Sequence, residues 1–171
     1  MKKESARALL AGGILGTIIG VFITAVALNL SGDRLVIKEM RSPYQDFDKT
    51  VETIIHRIQQ TRDWKVMSVL DYNKIVTENG YPSIGKIKLI KFCSSKYASQ
   101  MLAMDDYKKL GAMLPKTIAI YEKSDGHIYV AMGNGLVMGR MFDGEAAKII
   151  EKVSYEIEDI MRFMNFKFTL F

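Results

Sequence analysis

The stretch from Leu114 to Asn134, LPKTIAIYEKSDGHIYVAMGN, constrains the fold more than any other part of this chain. Ile118, Ile120, Ile128, Val130 and Met132 alternate with Thr117, Ala119, Tyr121, Tyr129 and Ala131. A period of two sends one side chain of each pair toward a core, so the stretch reads as two strands. Between them, Ser124-Asp125-Gly126 is turn chemistry: Asp tolerates a turn position and Gly supplies a positive φ without steric cost. Pro115 falls just before the first strand, where its missing N–H is harmless. The expectation is a β-hairpin.

The remaining elements can be arranged around that hairpin. Arg34–Met40 reads as a first strand, broken by Ser42-Pro43. Phe47, Val51, Ile54, Ile55 and Ile58 then share one helical face, with Asp46 or Ser42 as cap and His56 beside the stripe at the boundary. Trp64–Leu70 is a second strand, and Asp71–Asn79 a short helix closed by Gly80. Lys86–Phe92 is a third strand whose lysines suit an exposed sheet edge. Ser94-Ser95 offers a cap for a helix through Tyr97, Met101 and Leu102, and Asp105-Asp106 starts another short helical piece. After the hairpin, Gly133-Asn134-Gly135 reads as a flexible turn and Leu136–Phe142 as a short apolar segment. A final helix is expected from about Asp143 to Met164, with Ala146, Ile149, Ile150, Val153, Ile157, Ile160, Met161 and Met164 in one stripe.

The N-terminus has a different character. No residue between Arg7 and Asp33 is charged, and Ala8–Leu30 supplies 23 mostly apolar residues. At 1.5 Å per residue that suffices for a hydrocarbon core of about 30 Å. Residues 1–32 are therefore expected to be a signal-anchor in the cytoplasmic membrane, and residues 33–171 a single extracytoplasmic α+β domain. Lys2, Lys3 and Arg7 precede the span and place the N-terminus inside. The rival is a signal peptide cleaved after Ala27, since Ala25-Val26-Ala27 resembles an A-x-A site. Ala8, Gly12, Gly16, Gly20 and Thr24 recur every four residues, a ridge of small side chains that lets another helix approach closely.

Composition limits the chemistry. The chain carries 24 basic and 19 acidic residues, a net charge of +5 that is interspersed rather than striped, so nucleic acid is not an expected partner. One cysteine, Cys93, excludes an intrachain disulfide. Two histidines, with no G-x-S-x-G, H-E-x-x-H or phosphate-cradling loop, leave no catalytic constellation, and no cofactor is expected. Cys93 precedes a helix N-terminus, where the dipole can lower a thiol pKa; with His127 it is the candidate for thiol or metal chemistry, against the alternative of a small buried hydrophobe. Asn134, between two glycines, is a polar group that can face a pocket at the sheet end.

The pieces PYQDFDKTVETIIHRIQ, IKFCSSKYASQML and MLPKTIAIYEKSDGHIYVAMGNGLVMGRMF together resemble the domain of unknown function 302 family over residues 43–166. The resemblance implies a fold similar to half of a TATA-binding protein: a β-α-β(4)-α order with one antiparallel sheet of about five strands covered by helices. Membrane-anchored relatives often carry a second cysteine at the position of Lys116, beside the counterpart of Cys93; here Lys116 leaves no dithiol within the chain.

Three functional expectations follow from different features. The anchor and its small-residue ridge point to a membrane-bound accessory protein that assembles with itself or with subunits of a larger complex. The methionines, 11 in all, suit an adaptable pocket for a small apolar ligand beneath the last helix, with Tyr97, Met101, Lys116 and Asn134 as candidate lining. Thiol or metal handling through Cys93 is the third possibility.

Overall fold

A computed structural model of the chain describes residues 12–24, 32 and 35–168. The chain divides into two compact units, Met1–Arg34 and Leu35–Phe171. In the first, residues 12–24 form a helix, α1, in which every residue is exposed. Thr17 and Thr24 donate their hydroxyls to the carbonyls of Gly13 and Gly20, at 2.9 and 2.8 Å, so neither needs an outside partner. A Cβ added at Gly12, Gly16 or Gly20 would meet nothing within 4 Å. Among the described residues no helix is long and apolar enough to cross a membrane. Ala8, the Ala25-Val26-Ala27 site and the ends of the expected span, residues 8–11 and 25–30, lie outside the described residues.

The second unit is α+β, built on one antiparallel sheet of five strands in the order β1-β5-β4-β3-β2. The strands are β1 (Ile37–Arg41), β2 (Trp64–Asp71), β3 (Ile87–Ser94), β4 (Lys116–Glu122) and β5 (Ile128–Gly133). The helices are α2 (Phe47–Gln60), α3 (Tyr72–Glu78), α4 (Ser95–Leu102), α5 (Gly135–Gly139) and α6 (Gly144–Ile160), with 3₁₀ segments at Asp105–Met113 and Arg162–Met164.

The hairpin forms as its alternation dictates. Ile118 faces Met132 and Ile120 faces Val130, and all four are buried. At the turn Gly126 has φ +75°, while Asp125 Oδ1 accepts from the His127 N–H at 2.9 Å. Helix α2 starts where Asp46 accepts from the Lys49 N–H at 2.9 Å, and buries Phe47, Val51, Ile54 and Ile58. Each such apolar side chain removed from water contributes about 1.5–3 kcal/mol. The whole apolar stripe expected for the last helix, Ala146 through Met164, is buried.

Several expectations are corrected. The first strand runs Ile37–Arg41 rather than Arg34–Met40, because its ladder partner β5 stops at Gly133, opposite Ile37. The lysine-bearing strand is no edge: β3 lies between β4 and β2. Lys86 and Lys88 instead pair with Glu122 and Asp48, at 2.9 and 2.8 Å. The last helix ends at Ile160, since Arg57 of α2 donates to the carbonyls of Asp159, at 3.0 Å, and Ile160. Asn165 follows in the left-handed region, which no regular helix continues through.

The segment after the hairpin is the largest correction. Gly133-Asn134-Gly135 is no flexible turn. Asn134 caps α5 by accepting from the Val137 N–H at 3.4 Å, and its own N–H donates to Val36 O at 2.8 Å. Gly135 opens α5 against α6, where an added Cβ would stand 2.2 Å from Ser154 Oγ. Its glycine is required by close approach, not by turn flexibility.

Candidate functional site

Antiparallel partners share a face of the sheet, and β2, β3 and β4 bring four chemically unlike residues to one end of it. Trp64 stands opposite Ser94, and Phe92 opposite Lys116. Phe92 is fully buried and packs on Trp64 at 5.3 Å between ring centroids, so Ser94 and Lys116 rise from the core-bearing face. Above them lies a cavity of about 40 Å³, bordered on the sheet side by Trp64, Cys93, Ser94 and Lys116. Tyr97 and Met101 of α4 form one wall, Leu110 and Met113 of the 3₁₀ segment another, and Ile150 and Val153 of α6 the roof. That volume holds roughly three waters or a ligand of a few heavy atoms.

The polar groups here are arranged unevenly. Glu156 of α6 is held by two donors, Trp64 Nε1 at 2.7 Å and Tyr97 O–H at 2.5 Å. This clamp ties β2 and α4 to α6 beside the cavity. The bond to Glu156, aided by burial, pushes the Tyr97 phenol up to about 12. Ser94 is 3% exposed, yet among the described residues its Oγ has no hydrogen-bond partner. It occupies the cap position of α4 without making the capping bond that the sequence suggested. Lys116 is half-buried, and burial lowers its ammonium below the usual lysine value.

Cys93 departs from the activated-thiol expectation. Burial pushes its thiol above the ordinary value, with the nearby Lys116 charge giving the smaller, opposite pull. The thiol therefore stays protonated at neutral pH, the poorly nucleophilic form. His127 is not near it: β4 meets β3 with Lys116 beside Phe92 and Tyr121 beside Ile87, so the turn carrying His127 lies at the opposite end of the sheet from Cys93. Among the described residues no group of three or more His, Cys, Asp or Glu could hold a metal ion.

Of the expected pocket residues, Tyr97, Met101 and Lys116 do come together, joined by Cys93. Asn134 does not; it is spent on capping α5 and is 1% exposed. No local pattern pointed to the convergence of Trp64, Ser94 and Glu156, since they lie on three elements far apart in the chain. The one available signal was Glu156 at the flank of the apolar stripe of α6.

The fold and site define a class: a single antiparallel sheet with helices packed on one face and a small, mostly apolar cavity between sheet and helices. The family model described as "Domain of unknown function DUF302" matches residues 38–164, and the chain belongs to that family. Among solved structures, the chain is similar to an uncharacterized conserved DUF302 protein from Bacillus stearothermophilus, with a TM-score of 0.66 and 14% identity. The likeness covers 76% of this chain and 98% of that one, and it speaks for the shared fold. No curated protein matches the chain.

Proposed function

We propose that the chain is a small-ligand-binding module held at the cytoplasmic membrane by its N-terminal helix, with the domain from about residue 33 onward on the extracytoplasmic side. The observation that carries the binding reading is the cavity itself: about 40 Å³ of space in the core, bordered by a hydroxyl without a partner and a half-buried ammonium. A mostly apolar concavity with a few convergent polar groups is the kind of place that takes a small ligand. The anchor rests on the uncharged run Ala8–Leu30, and the exposed Ile14, Leu15, Ile18, Ile19, Val21 and Phe22 of α1 favour it.

The accessory reading keeps one specific support, the open space beside Gly12, Gly16 and Gly20, which accommodates a close-packed helix from a second copy or another subunit. Binding is tested with xenon on the full chain in detergent, read by the methyl resonances of Met101 and Met113. Saturable shifts at these two methyls are expected; shifts spread without saturation over the surface would remove the reading.

A further inference from the structure

The cavity reading can be carried one step further, to the charge of its occupant; this step rests on that reading. We propose that the cavity binds a small monovalent anion with a short apolar body, of the short-chain carboxylate class, its charged group held by Lys116 and Ser94 and its body against Met101 and Met113.

The side chain of Lys116 rises from the core-bearing face, beside the fully buried Phe92, and no carboxylate of the described residues pairs with it. Two groups near the cavity do not neutralise it. Glu156 already accepts from Trp64 and Tyr97, one donor on each oxygen. Cys93 is a neutral thiol, because burial raises its pKa. An ammonium brought into an apolar wall without a counter-ion is an unpaid desolvation cost unless something outside the chain supplies the negative charge.

Ser94 points the same way. A serine at a helix cap ordinarily spends its oxygen on the backbone, yet this one is 97% buried with the oxygen unspent. Since a buried hydroxyl costs free energy when unpaired, its natural partner is an acceptor entering the cavity. An ammonium and a hydroxyl donor together suit a carboxylate, which accepts at both oxygens. The opposite wall is methionine and leucine, which can meet one or two carbons but offers no second charge. Volume sets the size: space for roughly three waters suits a body of two or three carbons.

The test compares acetate and propionate with their neutral isosteres acetamide and propionamide, titrated into the full chain and read at the Met101 and Met113 methyls. The carboxylates are expected to bind at least tenfold more tightly than the amides. Lys116→Met should abolish that preference while still taking up xenon, which shows that the variant is folded, and Ser94→Ala should reduce it several-fold. If xenon binds but the carboxylates gain nothing over the amides, the anion inference is overturned and the cavity reading stands. Should chloride bind as tightly as propionate, the apolar-body requirement is wrong. If neither xenon nor any carboxylate binds, both readings fall together.

Discussion

The two ends of the β3–β4 pairing treat charge in opposite ways. At the hairpin end, Lys86 meets Glu122 at 2.9 Å and Lys123 meets Glu39 at 2.8 Å; Glu39 also accepts from Tyr121, and Tyr129 donates to Asp125 at 2.9 Å. Electrostatically this end is closed. At the other end, among the described residues, Ser94 Oγ has no partner and no carboxylate pairs with Lys116, and both border a cavity. Both ends belong to the same two strands, so β propensity cannot explain the contrast. Surface pairs at the hairpin end contribute little each, but they meet the charges of Lys86, Lys123, Glu39 and Glu122 within the chain. The cavity end leaves polar groups unspent, which is the usual mark of a place kept for something else.

The sharpest way to break this contrast is to compare packing slack. Gly135 lies in a tight contact of its own, where α5 packs on α6 and an added Cβ falls 2.2 Å from Ser154 Oγ, itself bonded to Ile150 O at 2.7 Å. Gly135→Val is expected to cost about 3 kcal/mol or more by urea denaturation, since overpacking against a fixed helix forces the backbone to move. Met113→Leu at the cavity wall should cost less than about 1.5 kcal/mol, as volume-conserving swaps do. Equal costs would mean that the cavity end is as tightly packed as the rest.

Much of the fold was legible because it depends on periods. The hairpin alternation and the apolar stripes of α2 and α6 decide which faces are buried, and those residues are the core. What could not be read was closeness between elements. Gly135 looks like a turn glycine until α6 is beside it, and the lysines of β3 look like edge residues until β2 and β4 flank them. Of the site, Cys93, Tyr97, Met101 and Lys116 were legible singly. Their company with Trp64, Ser94 and Glu156 was not, because register and helix crossing, neither encoded locally, bring them together. Asn134 was misread for the same reason: its neighbour in space is α5, not the cavity.

A medium-sized effect tests the clamp beside the cavity. Glu156→Ala leaves Trp64 Nε1 and the Tyr97 hydroxyl without their acceptor and is expected to cost about 1–3 kcal/mol. The Tyr97 phenol should at the same time fall from about 12 toward its ordinary value near 10, because its raised value comes first from the bond to Glu156. An alkaline absorbance titration reads this directly. If the phenol stayed near 12, burial alone would be responsible, and Glu156 would have no part in ordering the cavity wall.

The smallest expected effect separates the two ends most cleanly, because its sign differs between them. Burial holds the folded pKa of Lys116 below the usual 10.5, so the unfolded chain binds its proton more tightly than the folded one. Its protonation therefore opposes folding, and its contribution to stability rises as pH climbs from the folded pKa toward 10.5. Lys86 and Lys123 behave inversely: their bonds to Glu122 and Glu39 raise them above 10.5, so their stabilisation is complete below that value and fades as pH rises through the folded pKa. Lys116→Met should thus gain about 1 kcal/mol at neutral pH in the absence of ligand, a gain that shrinks at alkaline pH as the native lysine loses its charge. Lys86→Met and Lys123→Met should lose stability at neutral pH, with the deficit shrinking in the same direction. Chemical denaturation of the three variants from pH 7 to 11 checks the signs. A loss at neutral pH for Lys116→Met would mean that its charge is already neutralised within the chain, and the two ends would then be alike.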